Sequence, residues 1–246
     1  MKSRKNVGIW RVLVATILMN FVASAGVLIE EWDRMAFAQV ISDEAQKKIQ
    51  ARAAMVTAEE LYGHKEYDKA IEQWREAIRL DPSLARAHLD LGMALRGRGK
   101  VAEAVPLLRE AVRLDPKNGS AHADLGDALQ EQGDLDGALA AYHAALALVP
   151  RSAPLRNNLG YVLVRKGDVD GAIAEWREAA RLDPKYPPAH VNLAEALETK
   201  GDIQGAIVSY ERFLDVVPLG ANVDEVRERL TNLKAGTKSQ PAPEKR

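Results

Sequence analysis

From residue 51 onward the apolar positions follow a long period rather than the two-residue alternation of a half-buried strand. Pro82, Pro116, Pro150, Pro184 and Pro218 each lie 34 residues apart. If every repeat is counted as 34 positions ending two residues past its proline, the repeats begin at Ala51, Ala85, Gly119, Ala153 and Pro187. Position 7 reads Thr57, Leu91, Leu125, Leu159, Leu193, and position 11 is leucine five times, from Leu61 to Leu197. Position 8 is small (Ala58, Gly92, Gly126, Gly160, Ala194), and position 20 is alanine throughout. Position 24 is large (Trp74, Leu108, Tyr142, Trp176, Tyr210), and position 27 is alanine until Phe213 replaces it. Small residues at 8, 20 and 27 let the two helices of a hairpin approach closely, and the large ones at 7, 11 and 24 are expected to fill what remains between neighbouring hairpins, so each repeat predicts a helix–turn–helix hairpin. A hairpin alone leaves one face bare, and stacking buries it.

Local punctuation places the helix ends. Gly99, Gly133, Gly167 and Gly201 fall at position 15, where a first helix must stop in a left-handed conformation. Asp134, Asp168 and Asp202 follow as turn or cap residues for the second helix. Asp-Pro pairs beginning at residues 81, 115 and 183 close that helix, because the residue before proline is driven from the α region. The first repeat departs from the pattern, with Thr57 for leucine and Lys65 for the turn glycine. A lead-in helix over 39–50, starting near Ser42 or Asp43, is expected to continue into it.

These positions, recurring in phase over 51–220, resemble the tetratricopeptide repeat. The resemblance implies an all-α, right-handed superhelical solenoid of five hairpins (51–84, 85–118, 119–152, 153–186 and 187–220). A helix within 221–235, carrying Val223, Val226, Leu230 and Leu233 on one face, is expected to cap it, and the polar stretch 236–246 to be disordered. In this family the first helices line a concave groove, with positions 2, 5, 6, 9, 12 and 13 facing a ligand. The implied groove residues here include Asp90, Asp124, Asp127, Asn157, Asn158, Tyr161, Asn192 and Glu195. Members that grip extended peptides use asparagine at position 6, since one carboxamide both donates to and accepts from a peptide unit. Asn158 and Asn192 can do this, whereas Asp90 and Asp124 can only accept. The clamp that holds C-terminal carboxylates needs lysine at position 5, and Met55, Leu89, Ala123, Asn157 and Val191 stand there instead. At the groove positions the acidic residues outnumber the basic ones, a balance that favours a basic or neutral segment.

Ahead of the repeats the pattern changes. Lys2, Arg4 and Lys5 precede an apolar stretch that runs from Val12 to Ile29 without a charge, roughly 27 Å as a helix and close to the thickness of a bilayer core. Glu30, Glu31 and Asp33 follow, so the positive flank is N-terminal and the repeats are expected on the extracytoplasmic side. The segment 1–38 reads either as an uncleaved membrane anchor or as a signal peptide, with small-x-small sites at Ala23-Ser24-Ala25 and Ala36-Phe37-Ala38.

Composition narrows the chemistry. With no cysteine there is no disulfide framework, thiolate metal site or cysteine nucleophile, and a net charge of −1 gives no basis for nucleic-acid binding. No nucleophile elbow, H-E-x-x-H helix or phosphate-binding glycine loop occurs, so no catalytic residue, cofactor or metal is assigned. His88, His122 and His190 all occupy position 4, but lie on different hairpins, too far apart for bonds of about 2 Å to one ion. The expected function is that of an adaptor or assembly factor, binding a partner peptide or helix. The alternative is a scaffold whose repeats associate with one another as a homo-oligomer.

Overall fold

The computed structural model describes residues 30–217 and 219–238, and among them the regular structure is entirely helical. The helices are α1 (Glu30–Gly63), α2 (Tyr67–Leu80), α3 (Ala85–Gly97), α4 (Val101–Leu114), α5 (Gly119–Gln132) and α6 (Leu135–Leu148). They continue as α7 (Ala153–Arg165), α8 (Val169–Leu182), α9 (Pro187–Thr199), α10 (Ile203–Val216) and α11 (Ala221–Lys238). The chain divides into two compact units, 1–87 and 88–246, with α3 beginning in the first and continuing in the second.

In the first unit α1 and α2 form a hairpin around Ala54, Ala58, Ala70, Trp74 and Ala77. The α1 helix starts at Glu30, not near Ser42. Neither glycine nor proline interrupts 30–62, so nothing obliges a helix to wait for the polar residues at 42 and 43. The expected lead-in segment is thus the middle of a 34-residue helix, and Ala36-Phe37-Ala38 lies inside it. The apolar run Val12–Ile29 lies outside the described residues, and among the described ones no helix is long and apolar enough to cross a membrane.

The second unit repeats one hairpin plan. Position 24 lies on position 8 of its own hairpin rather than between hairpins. A Cβ added to Gly92 would stand 2.7 Å from Leu108 Cγ, one on Gly126 2.8 Å from Tyr142 Cε1, and one on Gly160 2.5 Å from Trp176 Nε1. Position 27 works at the join between repeats: Ala179 is fully buried against Ala153 of its own repeat and Ala189 of the next. Phe213 takes that place in the last repeat and packs with Val223, Val226 and Leu230 of α11, which caps the stack as expected. The α11 helix runs on through Gly236 to Lys238, since an exposed helical glycine costs only about 1 kcal/mol. The remaining tail lies outside the described residues.

The turns follow the sequence closely. Gly99, Gly133, Gly167 and Gly201 have φ of 75°, 90°, 87° and 81°. Asp134, Asp168 and Asp202 accept hydrogen bonds from the backbone N–H of Gly137, Gly171 and Gly205. The first repeat keeps the same turn geometry without the glycine, holding Lys65 at φ 64°. Because a side chain there costs about 1–2 kcal/mol, partly offset by the greater freedom of unfolded glycine, Lys65→Gly is expected to stabilise the protein by about 0.5–1 kcal/mol, read from urea unfolding.

Candidate functional site

The first helices α3, α5, α7 and α9 of the second unit present one face on which polar side chains meet from successive repeats. Stacking places a residue beside the one 31 positions later, that is, one helical turn earlier in the next repeat. Arg96 on α3 donates to Asp127 on α5 at 2.9 Å and to Glu131 at 3.2 Å, and stands 3.6 Å from Asp124. Asp127 accepts from the Tyr142 hydroxyl at 2.5 Å and from Asn158 Nδ2 on α7 at 3.1 Å. Asn157 Nδ2 donates to Asn158 Oδ1 at 3.4 Å, and Asn157 Oδ1 accepts from Asn192 Nδ2 on α9 at 2.7 Å. Asn192 Oδ1 in turn accepts from the Tyr161 hydroxyl at 2.9 Å, which closes the chain back onto α7.

Of the residues assigned to the groove from the sequence, Asp124, Asp127, Asn157, Asn158, Tyr161 and Asn192 take part in these contacts, in different roles. Asn157 and Asn192 are 4% and 6% exposed, and their carboxamides serve each other. Asp90 is buried as well, while Asp124, Asp127 and Asn158 are half-buried. Tyr161, 44% exposed, and Glu195 reach solvent. The Tyr161 ring also stands edge-on to Trp176, with centroids 5.8 Å apart, so it is held from behind. Sequence reasoning named these positions but missed Arg96 as the cation that gathers the acidic side chains. The signal lay in the spacing from Arg96 to Asp127.

Charge on this face is unevenly matched. Burial pushes the Asp124 carboxyl up to about 6 against the pull of Arg96, with Asp127 and Asp90 adding to the rise. Burial and the bond to Asp127 raise the Tyr142 phenol, so it stays a neutral donor. At the far end Arg229 of α11 donates to Glu198 at 2.9 Å and lies 4.0 Å from Glu195. The Tyr210 hydroxyl also donates to Glu198, at 3.0 Å.

Position 4 has a structural use. His122 Nε2 lies 3.0 Å from the Pro116 carbonyl and His190 Nε2 2.8 Å from that of Pro184. A carbonyl only accepts, so each Nε2 carries the proton. Arg156, the residue at position 4 of the fourth repeat, bonds the Pro150 carbonyl in the same way at 3.3 Å. No group of three or more His, Cys, Asp or Glu side chains is arranged to hold a metal ion among the described residues.

Stacked helix–turn–helix hairpins with a polar network across their first helices define a helical-repeat protein. The chain belongs to the tetratricopeptide repeat family, whose sequence model matches residues 55–119, 123–187 and 163–221. Members of this family mediate protein–protein interaction. Among solved structures the chain is similar to MamA, at 23% identity over 79% of this chain and 98% of that one, with a TM-score of 0.63. It is similar to YrrB, described as a TPR protein with an unusual peptide-binding site, at 22% identity over 78% and 98%, TM-score 0.63. It also resembles PilF of Pseudomonas aeruginosa, at 20% identity over 78% and 88%, TM-score 0.67. At these identities the likeness concerns the fold. A search of curated proteins gives no match.

Proposed function

We propose that this chain is a non-enzymatic adaptor or assembly factor that binds an extended segment or a helix of a partner protein on the α3–α5–α7–α9 face. The observation that carries this reading is the imbalance around Arg96, where one guanidinium serves Asp124, Asp127 and Glu131. Tyr161 and Glu195 touch the partner, and Asp124, Asp127 and Asn158 supply its electrostatic bed. Asp90, Asn157 and Asn192 hold the face in shape. A basic or neutral segment fits this charge. The N-terminal apolar run serves as a membrane anchor or export signal that puts the repeats on the extracytoplasmic side.

The test begins with peptides selected from a random displayed library against the full-length protein. Selected sequences are expected to carry Lys or Arg. Tyr161→Arg combined with Glu195→Arg should weaken them tenfold or more, with helicity unchanged by circular dichroism. Val208→Arg, on an exposed position of α10, should leave affinity intact. Peptides that bind the double variant as tightly as the parent would sink the assignment.

A pH dependence follows from Asp124. Its carboxyl, held at about 6, is charged at pH 7.5 and neutral at pH 5, so acidification removes one negative charge from the face. A cationic peptide is therefore expected to bind about threefold to tenfold more weakly at pH 5 than at pH 7.5 by fluorescence anisotropy. The difference should shrink in Asp124→Asn.

A further inference from the structure

The hydrogen bonds that join α5, α7 and α9 all run in one direction, and that direction decides what their exposed end can take from a partner. The row starts at Asp127, whose carboxylate is paired with the Arg96 guanidinium, takes the Tyr142 hydroxyl proton and can only accept. Asn158 must therefore turn Nδ2 toward Asp127, at 3.1 Å, which leaves its Oδ1 facing Asn157. An amide oxygen also only accepts, so Asn157 meets it with Nδ2 at 3.4 Å and presents its own Oδ1 to α9. Asn192 meets that oxygen with Nδ2 at 2.7 Å, and its Oδ1 takes the Tyr161 hydroxyl proton at 2.9 Å. Each orientation is forced by the one before it. Turning one amide over would set oxygen against oxygen, and because Asn157 and Asn192 are buried, water does not repair the fault.

The consequence falls on Tyr161. Its hydroxyl has one proton and gives it inward to Asn192, so its oxygen offers lone pairs alone, on a side chain that still reaches solvent. A hydroxyl that donates into such a row also accepts more strongly, since each bond polarises the next. Glu195, at the same repeat position one hairpin further on, is a second exposed acceptor. Both groups call for N–H. A partner carboxylate or carbonyl set against Tyr161 would find no proton there.

We propose that Tyr161 is a specificity-determining acceptor for a lysine or arginine side chain of the partner, and that Asp127 is the positioning residue that sets its polarity through Asn158, Asn157 and Asn192. The proposal rests on the α3–α5–α7–α9 face being the binding face, and adds which partner group Tyr161 takes and why it refuses the opposite one.

The test uses the full-length protein and the tightest peptide selected on it, with each Lys or Arg of that peptide replaced in turn by norleucine, which keeps the apolar stem and removes the N–H. Tyr161→Phe keeps the ring and loses only the oxygen, and is expected to weaken the parent peptide about fivefold to tenfold. It should leave unchanged the affinity of the one norleucine peptide that lacks the cation opposite residue 161. Asp127→Asn sets at the head of the row a group that donates as well as accepts, so Asn158 is no longer obliged to turn one way. In that background the Tyr161→Phe penalty should fall to about twofold or less, whereas Asp124→Asn, which removes a neighbouring carboxylate outside the row, should leave the penalty whole. Without peptide, the side-chain amide NMR signals of Asn157, Asn158 and Asn192 should all shift in Asp127→Asn and far less in Asp124→Asn. A Tyr161→Phe penalty that Asp127→Asn does not change, or that is equal for every norleucine peptide, would overturn the proposal, and the binding face would still stand if Tyr161→Arg with Glu195→Arg weakens the parent peptide. Unchanged affinity in that double variant, or a selection that yields no Lys or Arg, would overturn both.

Discussion

Gly160→Leu is expected to destabilise the protein by about 1–3 kcal/mol, with a drop in the urea midpoint measured by circular dichroism. The Cβ alone would stand 2.5 Å from Trp176 Nε1, so the indole must move, and it is not the free end of a flexible chain. Trp176 is 3% exposed and its Nε1 donates to the Asn157 carbonyl at 3.1 Å. Displacing it adds about 1–3 kcal/mol of overpacking and about 1 kcal/mol for the lost hydrogen bond, while better helix propensity returns about 1 kcal/mol. The first repeat shows the smaller version of this change. There alanine stands at position 8, and the buried Nε1 of Trp74 at position 24 finds no acceptor among the described residues. Gly160→Ala should accordingly cost much less than Gly160→Leu, and equal costs would mean that the space beneath the indole does not decide stability.

Asp124→Asn is expected to stabilise the protein at pH 7.5 by about 1–3 kcal/mol and to change little at pH 4. The folded carboxyl sits at about 6 against an ordinary 3.8, so the folded state holds the proton more tightly than the unfolded one. Below 3.8 both states are protonated and the group has no effect. As pH rises through the window from 3.8 to 6 the unfolded chain ionises first, and stability is lost. Above 6 the full cost of the buried charge is present, and the amide removes it. Arg96 keeps Asp127 and Glu131 as partners, so the substitution does not strand a cation. Urea unfolding at the two pH values reads the sign directly, and a loss of stability at pH 7.5 would show that the Arg96 attraction outweighs burial.

The fold was legible because its rules are local and repeat. A glycine at position 15, an aspartate after it and an Asp-Pro at the end state where helices stop, and these agree with the small and large positions that pack. The start of α1 was not legible, because the stretch from Glu30 contains no breaker and polar residues at 42 and 43 look like a cap without being one. The candidate site was half legible. Position numbers put Tyr161, Asn158 and Asn192 on one face, but the identity of an asparagine shows only that it can donate and accept, not which group takes the bonds. That depends on the stagger of adjacent repeats, which brings Asn192 to Asn157 and Asp127 to Arg96, residues 35 and 31 apart in sequence. The histidines at position 4 were already too widely spaced to share an ion, and the carbonyls of Pro116 and Pro184 supply the partners of His122 and His190.

The adaptor reading is tested most directly by amide hydrogen exchange of the full-length protein with and without its tightest selected peptide, resolved to segments. Slowed exchange in α5, α7 and α9 around Asp124, Tyr161 and Glu195, with α6, α8 and α10 unchanged, is the predicted result. Protection confined to α6, α8 and α10 would contradict it and place binding on the other helices of the stack.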